Sequence, residues 1–225
     1  LEESGNVEAV HRLAQLWKME YTYDEETLQA AIAARREKYL QWDELLPHVS
    51  VPELISSPVV LLEAFRTFLA GCSVFGFDVE WGDDNAGAAL LQLASSNNGV
   101  LPIDIPALSQ KLKLWKRPSA TSFRHVTQRS LDFAAARTYR NSDPALVLGT
   151  NTGLLFHVRL WTCKKTVANS LGADFGLSRC CEHYLGKPLD KSEQCSLWTT
   201  RPLSESQRVY ASLDAYACVL LYHKH

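Results

Sequence analysis

No stretch of this 225-residue chain approaches the roughly eighteen consecutive apolar residues that a membrane-crossing helix needs. A secretory leader is missing as well, so the expectation is an intracellular protein with no membrane partner. Basic charge is not in excess: 23 Lys and Arg stand against 25 Asp and Glu, for a net charge of −2. That excludes a generally basic coat and confines any contact with nucleic acid to local patches. Cysteine is sparse and poorly spaced for zinc. Cys72, Cys163, Cys180, Cys181, Cys195 and Cys218 form no C-x-x-C pair, and the adjacent Cys180 and Cys181 are awkward disulfide partners. Internal repeats and low-complexity segments are absent too. What remains, 46% hydrophobic and 21% charged, is enough to bury a sizeable core.

Two acidic pairs stand out against this background. The first lies in Ser73-Val74-Phe75-Gly76-Phe77-Asp78-Val79-Glu80-Trp81, a β-branched and aromatic run that predicts a strand. Side chains two apart on a strand share a face, so Asp78 and Glu80 point the same way, about 6 to 7 Å apart. Hard oxygen donors at that spacing suit Mg²⁺ or Mn²⁺. The second pair is Tyr210 and Asp214, on a helix whose start is marked by Ser204-Glu205-Ser206-Gln207, a capping box. Four residues apart, the phenol and the carboxylate stack on one helix face. Together they can hold a water beside a carboxylate-bound metal, as phosphodiester hydrolysis requires.

Phe77-Asp78-Val79-Glu80-Trp81, Leu91-Gln92-Leu93-Ala94, Leu185-Gly186-Lys187-Pro188-Leu189-Asp190-Lys191, Trp198 with Arg201-Pro202-Leu203, and Tyr210-x-x-x-Asp214 together resemble the DEDD-type 3′→5′ exonucleases. The tyrosine places the chain in the DEDDy branch, where the wording is most similar to the mut-seven group of animal exonucleases. The resemblance covers roughly residues 50 to 110 and 166 to 223. It implies that Asp78, Glu80 and Asp214 are three of four carboxylates holding two divalent ions, Mg²⁺ or Mn²⁺, and that Tyr210 orients the attacking water. It also implies a ribonuclease H-like α/β fold, a mixed sheet flanked by helices, with the Asp78 strand central. The implied substrate is a single-stranded 3′ end, RNA more readily than DNA, and the product a nucleoside 5′-monophosphate.

The fourth carboxylate is left open. Asp132 is the first candidate, near the start of a helix over Ser130 to Arg137 that follows a strand over Thr121 to Val126. Asp143 is the second, although Asn141-Ser142-Asp143-Pro144 reads more simply as a turn; a missing ligand is the third possibility. Both candidates sit in an atypical segment, residues 111–165, where eleven Lys or Arg face only these two acids. Its balance of +9 leaves −11 elsewhere. Either this stretch draws a nucleic-acid backbone toward the carboxylates, or it is a divergent or alternative segment that does not build the family's central strand and helix.

The remaining elements frame the site. Residues 1–46 read as a helical leader, Val7 to Met19 and then Asp24 to Leu46 with a break near Asp43, and residues 47–225 as the exonuclease domain. Arg35-Arg36-Glu37-Lys38 is expected to be a solvated face. A helix from Pro58 to Ala70 precedes the Asp78 strand, and strands over Ala88 to Ala94 and Gly99 to Asp104 follow, joined by an Asn97-Asn98-Gly99 turn. Trp81 reads as a packing residue ahead of a platform for base stacking, Gln92 as a buried amide with its hydrogen bonds met. Lys187, Lys191 and Arg201 are candidates for phosphate contacts, weighed against ordinary solvated side chains. Two functions from different classes fit: an active exonuclease, or an inactive nuclease fold kept as a module that binds nucleic acid or protein.

Overall fold

The N-terminal region forms the helices its periodicity predicts, with one break moved. The computed structural model describes residues 7–20, 22, 24–68, 74–82, 87–97, 99–114, 145–149, 155–161 and 176–224. Helix α1 spans Val7–Trp17 and α2 spans Glu25–Lys38. Asp24 caps α2, accepting the Thr27 N–H at 3.1 Å. The expected continuation to near Asp43 does not occur: Tyr39 is extended and α3 is only Trp42–Leu45. The cause is tertiary. The Leu40 N–H donates to the Pro188 carbonyl at 3.0 Å, and Leu40 and Trp42 are buried in the main core, overriding local helix propensity.

Helix α4, Pro58–Phe68, leads to β1, Val74–Trp81, β2, Ala88–Ser95, and β3, Gly99–Asp104, which pair antiparallel in sequence. Helix α5, Ile105–Leu114, follows. Strands β4, Ala145–Gly149, and β5, Leu155–Trp161, pair with each other antiparallel, and β5 runs parallel to β1. The sheet order is β3-β2-β1-β5-β4, so β1 is central and the sheet is mixed, as expected. Part of the atypical segment thus joins the sheet despite its lack of a clean period. The strand expected over Thr121 to Val126 and the helix over Ser130 to Arg137 lie outside the described residues. The chain continues into α6, Leu177–Leu185, and α7, Glu205–Lys224. No helix among the described residues is long and apolar enough to cross a membrane.

Alternation along the strands gives the sheet two working faces. Phe75, Phe77, Leu93 and Ile103 point to one side, where Phe68 of α4 and Leu108 of α5 close a core. Each such fully buried side chain contributes roughly 1.5–3 kcal/mol. The other face receives α7, whose Leu213, Tyr216, Ala217 and Val219 are buried with Cys180 and Cys181 of α6. Cys180, Cys181 and Cys218 are buried, and none of the three forms a disulfide with another described residue.

Candidate active site

The face that meets α7 carries the acidic pair. In the β1–β2 register, Gly76 lies opposite Ala94, Asp78 opposite Gln92 and Glu80 opposite Leu90, so Asp78 and Glu80 share that face with Gly76. Gly76 sets the distance between strand and helix. A Cβ there would lie 2.2 Å from the Ala215 carbonyl oxygen, so only glycine lets α7 come this close. Ala215 adjoins Asp214, and the close approach brings the helix carboxylate onto the strand pair.

The helix is fixed at its start by the predicted capping box: Gln207 donates its N–H to Ser204 Oγ at 3.1 Å, and Ser204 donates its N–H to Gln207 Oε1 at 3.0 Å. Two turns on, Tyr210 and Asp214 face β1. One carboxylate oxygen each from Asp78, Glu80 and Asp214 lies within 4.8 Å of the others, with Glu80 and Asp214 buried. Three like charges so close repel by about 3 kcal/mol or more per pair at an effective dielectric constant near 20. The arrangement therefore needs cations. Oxygens sharing one octahedral ion with 2.1 Å bonds lie about 3 to 4.2 Å apart, so these carboxylates close on such an ion with small side-chain shifts. The donor set fits Mg²⁺ or Mn²⁺.

Tyr210 sits in the same enclosure. Burial first, then the charges of Asp214, Glu80 and Asp78 and a hydrogen bond with Asp214, push its phenol far above the ordinary tyrosine range. It is a neutral hydroxyl, able to orient a water but not to act as a general base near pH 7. Trp198 stacks obliquely on it, with ring centroids 5.8 Å apart. Lys191 donates to Asp214 Oδ2 at 2.5 Å, with its ammonium 5.1 Å from the centroid of the Tyr210 ring.

Residues 186 to 203 form the wall beside this helix, and the other basic candidates are committed to holding it. Arg201 donates to Asp104 Oδ2 at 2.6 Å, to the Trp198 carbonyl at 2.7 Å and to the Ala89 carbonyl at 3.1 Å. Lys187 pairs with Glu44 at 2.8 Å. Arg35 is no solvated residue: it pairs with Asp190 and donates to Ser192 Oγ at 2.6 Å, tying α2 to the segment that carries Lys191. Burial opposes ionisation of Asp190, but the Arg35 guanidinium and the Ser192 amide outweigh it and hold the carboxyl below its ordinary range. A depressed folded value stabilises the fold above the unfolded value, near about 4, and that stability is lost as pH falls through the folded one. Replacing Arg35 with Met is expected to lower stability by about 1.5 kcal/mol at pH 7. Urea melts across pH should show the gap closing below about pH 4.

Two other expectations change. Trp81 is 56% exposed, beyond an irregularity in the β1–β2 register at Glu80/Trp81, so it does not pack in the core. Gln92 is fully buried as expected, yet neither its Nε2 nor its Oε1 finds a hydrogen-bond partner among the described residues. Asp132 and Asp143 lie outside the described residues. Lys191 is the contributor that sequence reasoning undervalued; its only signal was its place in the Leu185–Lys191 motif block.

Comparison with known proteins bears on the same residues. The family described as 3′-5′ exonuclease matches residues 55–224, which include the whole carboxylate cluster and Tyr210. The chain belongs to the 3′-5′ exonuclease domain family. The exonuclease mut-7 homolog of Drosophila melanogaster is 28% identical over 170 residues, covering 68% of this chain and 27% of that protein. The human exonuclease mut-7 homolog is 31% identical over 177 residues, covering 67% of this chain and 19% of that protein. The chain thus spans a small part of these relatives' length. Among solved structures, the catalytic core of RRP6 from Trypanosoma brucei, mutant C496S, superimposes with a TM-score of 0.50 at 18% identity, over 85% of this chain and 54% of that one. That likeness shows the fold, which is ribonuclease H-like. Membership in this exonuclease family implies a nucleic-acid substrate and divalent metal ions, for which the three carboxylates are a suitable donor set.

Proposed function

We propose that this chain is an active 3′→5′ exonuclease that shortens single-stranded nucleic acid, RNA in preference to DNA, and releases nucleoside 5′-monophosphates. The observation that carries the reading is the convergence of Asp78, Glu80 and Asp214 across the β1–α7 contact. These three would hold Mg²⁺ or Mn²⁺, with Asp132 proposed as the fourth ligand. When bound, two such ions supply an activated water and offset charge on the phosphate and on the departing 3′ oxygen. The chain's own residues bind and orient. Tyr210 stays protonated and aligns the attacking water through its hydroxyl, while the wall from Trp198 to Leu203 keeps the phenol in place. Preference for RNA rests on the resemblance of the motif blocks to the mut-seven group.

Incubation with 5′-labelled, single-stranded RNA or DNA and Mg²⁺ or Mn²⁺ tests this. Progressive shortening from the 3′ end, lost with EDTA and in Asp78→Ala, is the expected result, with RNA degraded faster than DNA. Binding without shortening would instead favour the inactive module. Tyr210→Phe is expected to slow turnover about ten- to a hundredfold, the equivalent of one charge-assisted hydrogen bond, and to leave Mn²⁺ affinity within about twofold. Unchanged turnover would remove the phenol from the reaction.

A further inference from the structure

Asp214 already holds a cation of the chain's own. The Lys191 ammonium donates to Asp214 Oδ2 at 2.5 Å and lies 5.1 Å from the centroid of the Tyr210 ring. It reaches the site from outside: the Lys191 side chain is 31% exposed while that of Asp214 is 4% exposed. The backbone on either side is anchored. Asp190 is paired with Arg35, Ser192 Oγ accepts from Arg35 at 2.6 Å, and the Ser192 N–H donates to Asp190 Oδ1 at 2.8 Å. A fixed backbone with a flexible four-carbon stem lets the charged tip move while its root stays in place.

We propose that Lys191 is an internal counter-cation, which occupies the carboxylate cluster in the absence of divalent ions and must leave Asp214 when one binds. The inference rests on the metal-binding reading above and adds a competitor to it. Three carboxylates within 4.8 Å of one another require positive charge to coexist in a mostly buried enclosure. An ammonium supplies one unit and a divalent ion two, and the two cations repel each other at such range. The lysine therefore keeps the empty cluster assembled and raises the metal concentration at which it loads. A lysine that merely held Asp214 in its rotamer would have the opposite effect, since its removal would weaken metal binding.

Mn²⁺ titrations followed by the electron paramagnetic resonance signal of the free ion separate these cases. Lys191→Met is expected to bind Mn²⁺ about tenfold more tightly than the unaltered chain, the effect of removing one charged hydrogen bond from competition, and Lys191→Arg to stay close to it. Equal or weaker binding by Lys191→Met overturns the counter-cation and leaves the metal site standing. No Mn²⁺ binding by either the unaltered chain or Lys191→Met overturns the metal reading and this inference with it. Should Lys191→Met fail to fold, nuclear magnetic resonance of the unaltered chain provides the test: Mg²⁺ should shift the Lys191 ammonium signal as its partner is lost, and an unmoved signal contradicts the proposal.

Discussion

Asp214→Asn is expected to lower the rate of phosphodiester hydrolysis by about a thousandfold while leaving the chain folded. The substitution keeps the shape of a side chain that is 4% exposed and removes its charge. A metal ligand supplies several kcal/mol of transition-state stabilisation, and each 1.36 kcal/mol is tenfold in rate, so a loss near 4 kcal/mol gives about three powers of ten. Stability should change little. The lost attraction to Lys191 is offset by relief of repulsion from Asp78 and Glu80, which converge on the same point. Rates measured over a wide range of Mn²⁺ concentration, beside a thermal melt, check both halves. A rate within tenfold of the unaltered chain would show that Asp214 is not a ligand.

Gly76→Ala should damage fold and site together. The added methyl would lie 2.2 Å from the Ala215 carbonyl oxygen, 3.0 Å from Val219 Cγ2 and 3.1 Å from Cys218 Cβ. The first of these is backbone inside a buried helix against the central strand, so no rotamer change relieves it. Overpacking of this kind costs roughly 3 kcal/mol, or about 6 to 12 °C in Tm for a domain of this size. Separation of α7 from β1 also carries Asp214 and Tyr210 away from Asp78 and Glu80. A displacement of about 1 Å at a reacting centre is worth about a hundredfold in rate. Gly176→Ala is the matching control, since a Cβ there meets nothing within 4 Å and the backbone φ is −69°. A Gly76→Ala chain with the melting point and rate of that control would contradict the close strand–helix contact on which the site depends.

The features legible in the sequence were those set by short periods. Alternation placed Asp78 and Glu80 on one face of a strand, the four-residue spacing placed Tyr210 over Asp214, and the Ser204–Gln207 box marked the helix start that orients both. Features made by distant pairs were not legible. Arg35 looked like one of several solvated charges because its partner Asp190 is 155 residues away, and Lys191 meets Asp214 across 23 residues. The break after α2 carries no Gly or Pro, because burial of Leu40 and Trp42 against the last helix decides it. The need for glycine at position 76 is also set by distant residues, Ala215, Cys218 and Val219 of α7. The two strands contributed by the atypical segment likewise become visible only through their pairing, β5 with β1 and β4 with β5.

Anomalous diffraction from crystals soaked in Mn²⁺ tests the carboxylate centre most directly. The expected result is a manganese peak bonded to Asp78, Glu80 and Asp214 at about 2.1 to 2.2 Å, with the Lys191 ammonium moved off Asp214, and no such peak in Asp78→Asn. Manganese bound elsewhere with this cluster empty, or a peak that survives in Asp78→Asn unchanged, would contradict the assignment of these three residues as the metal site.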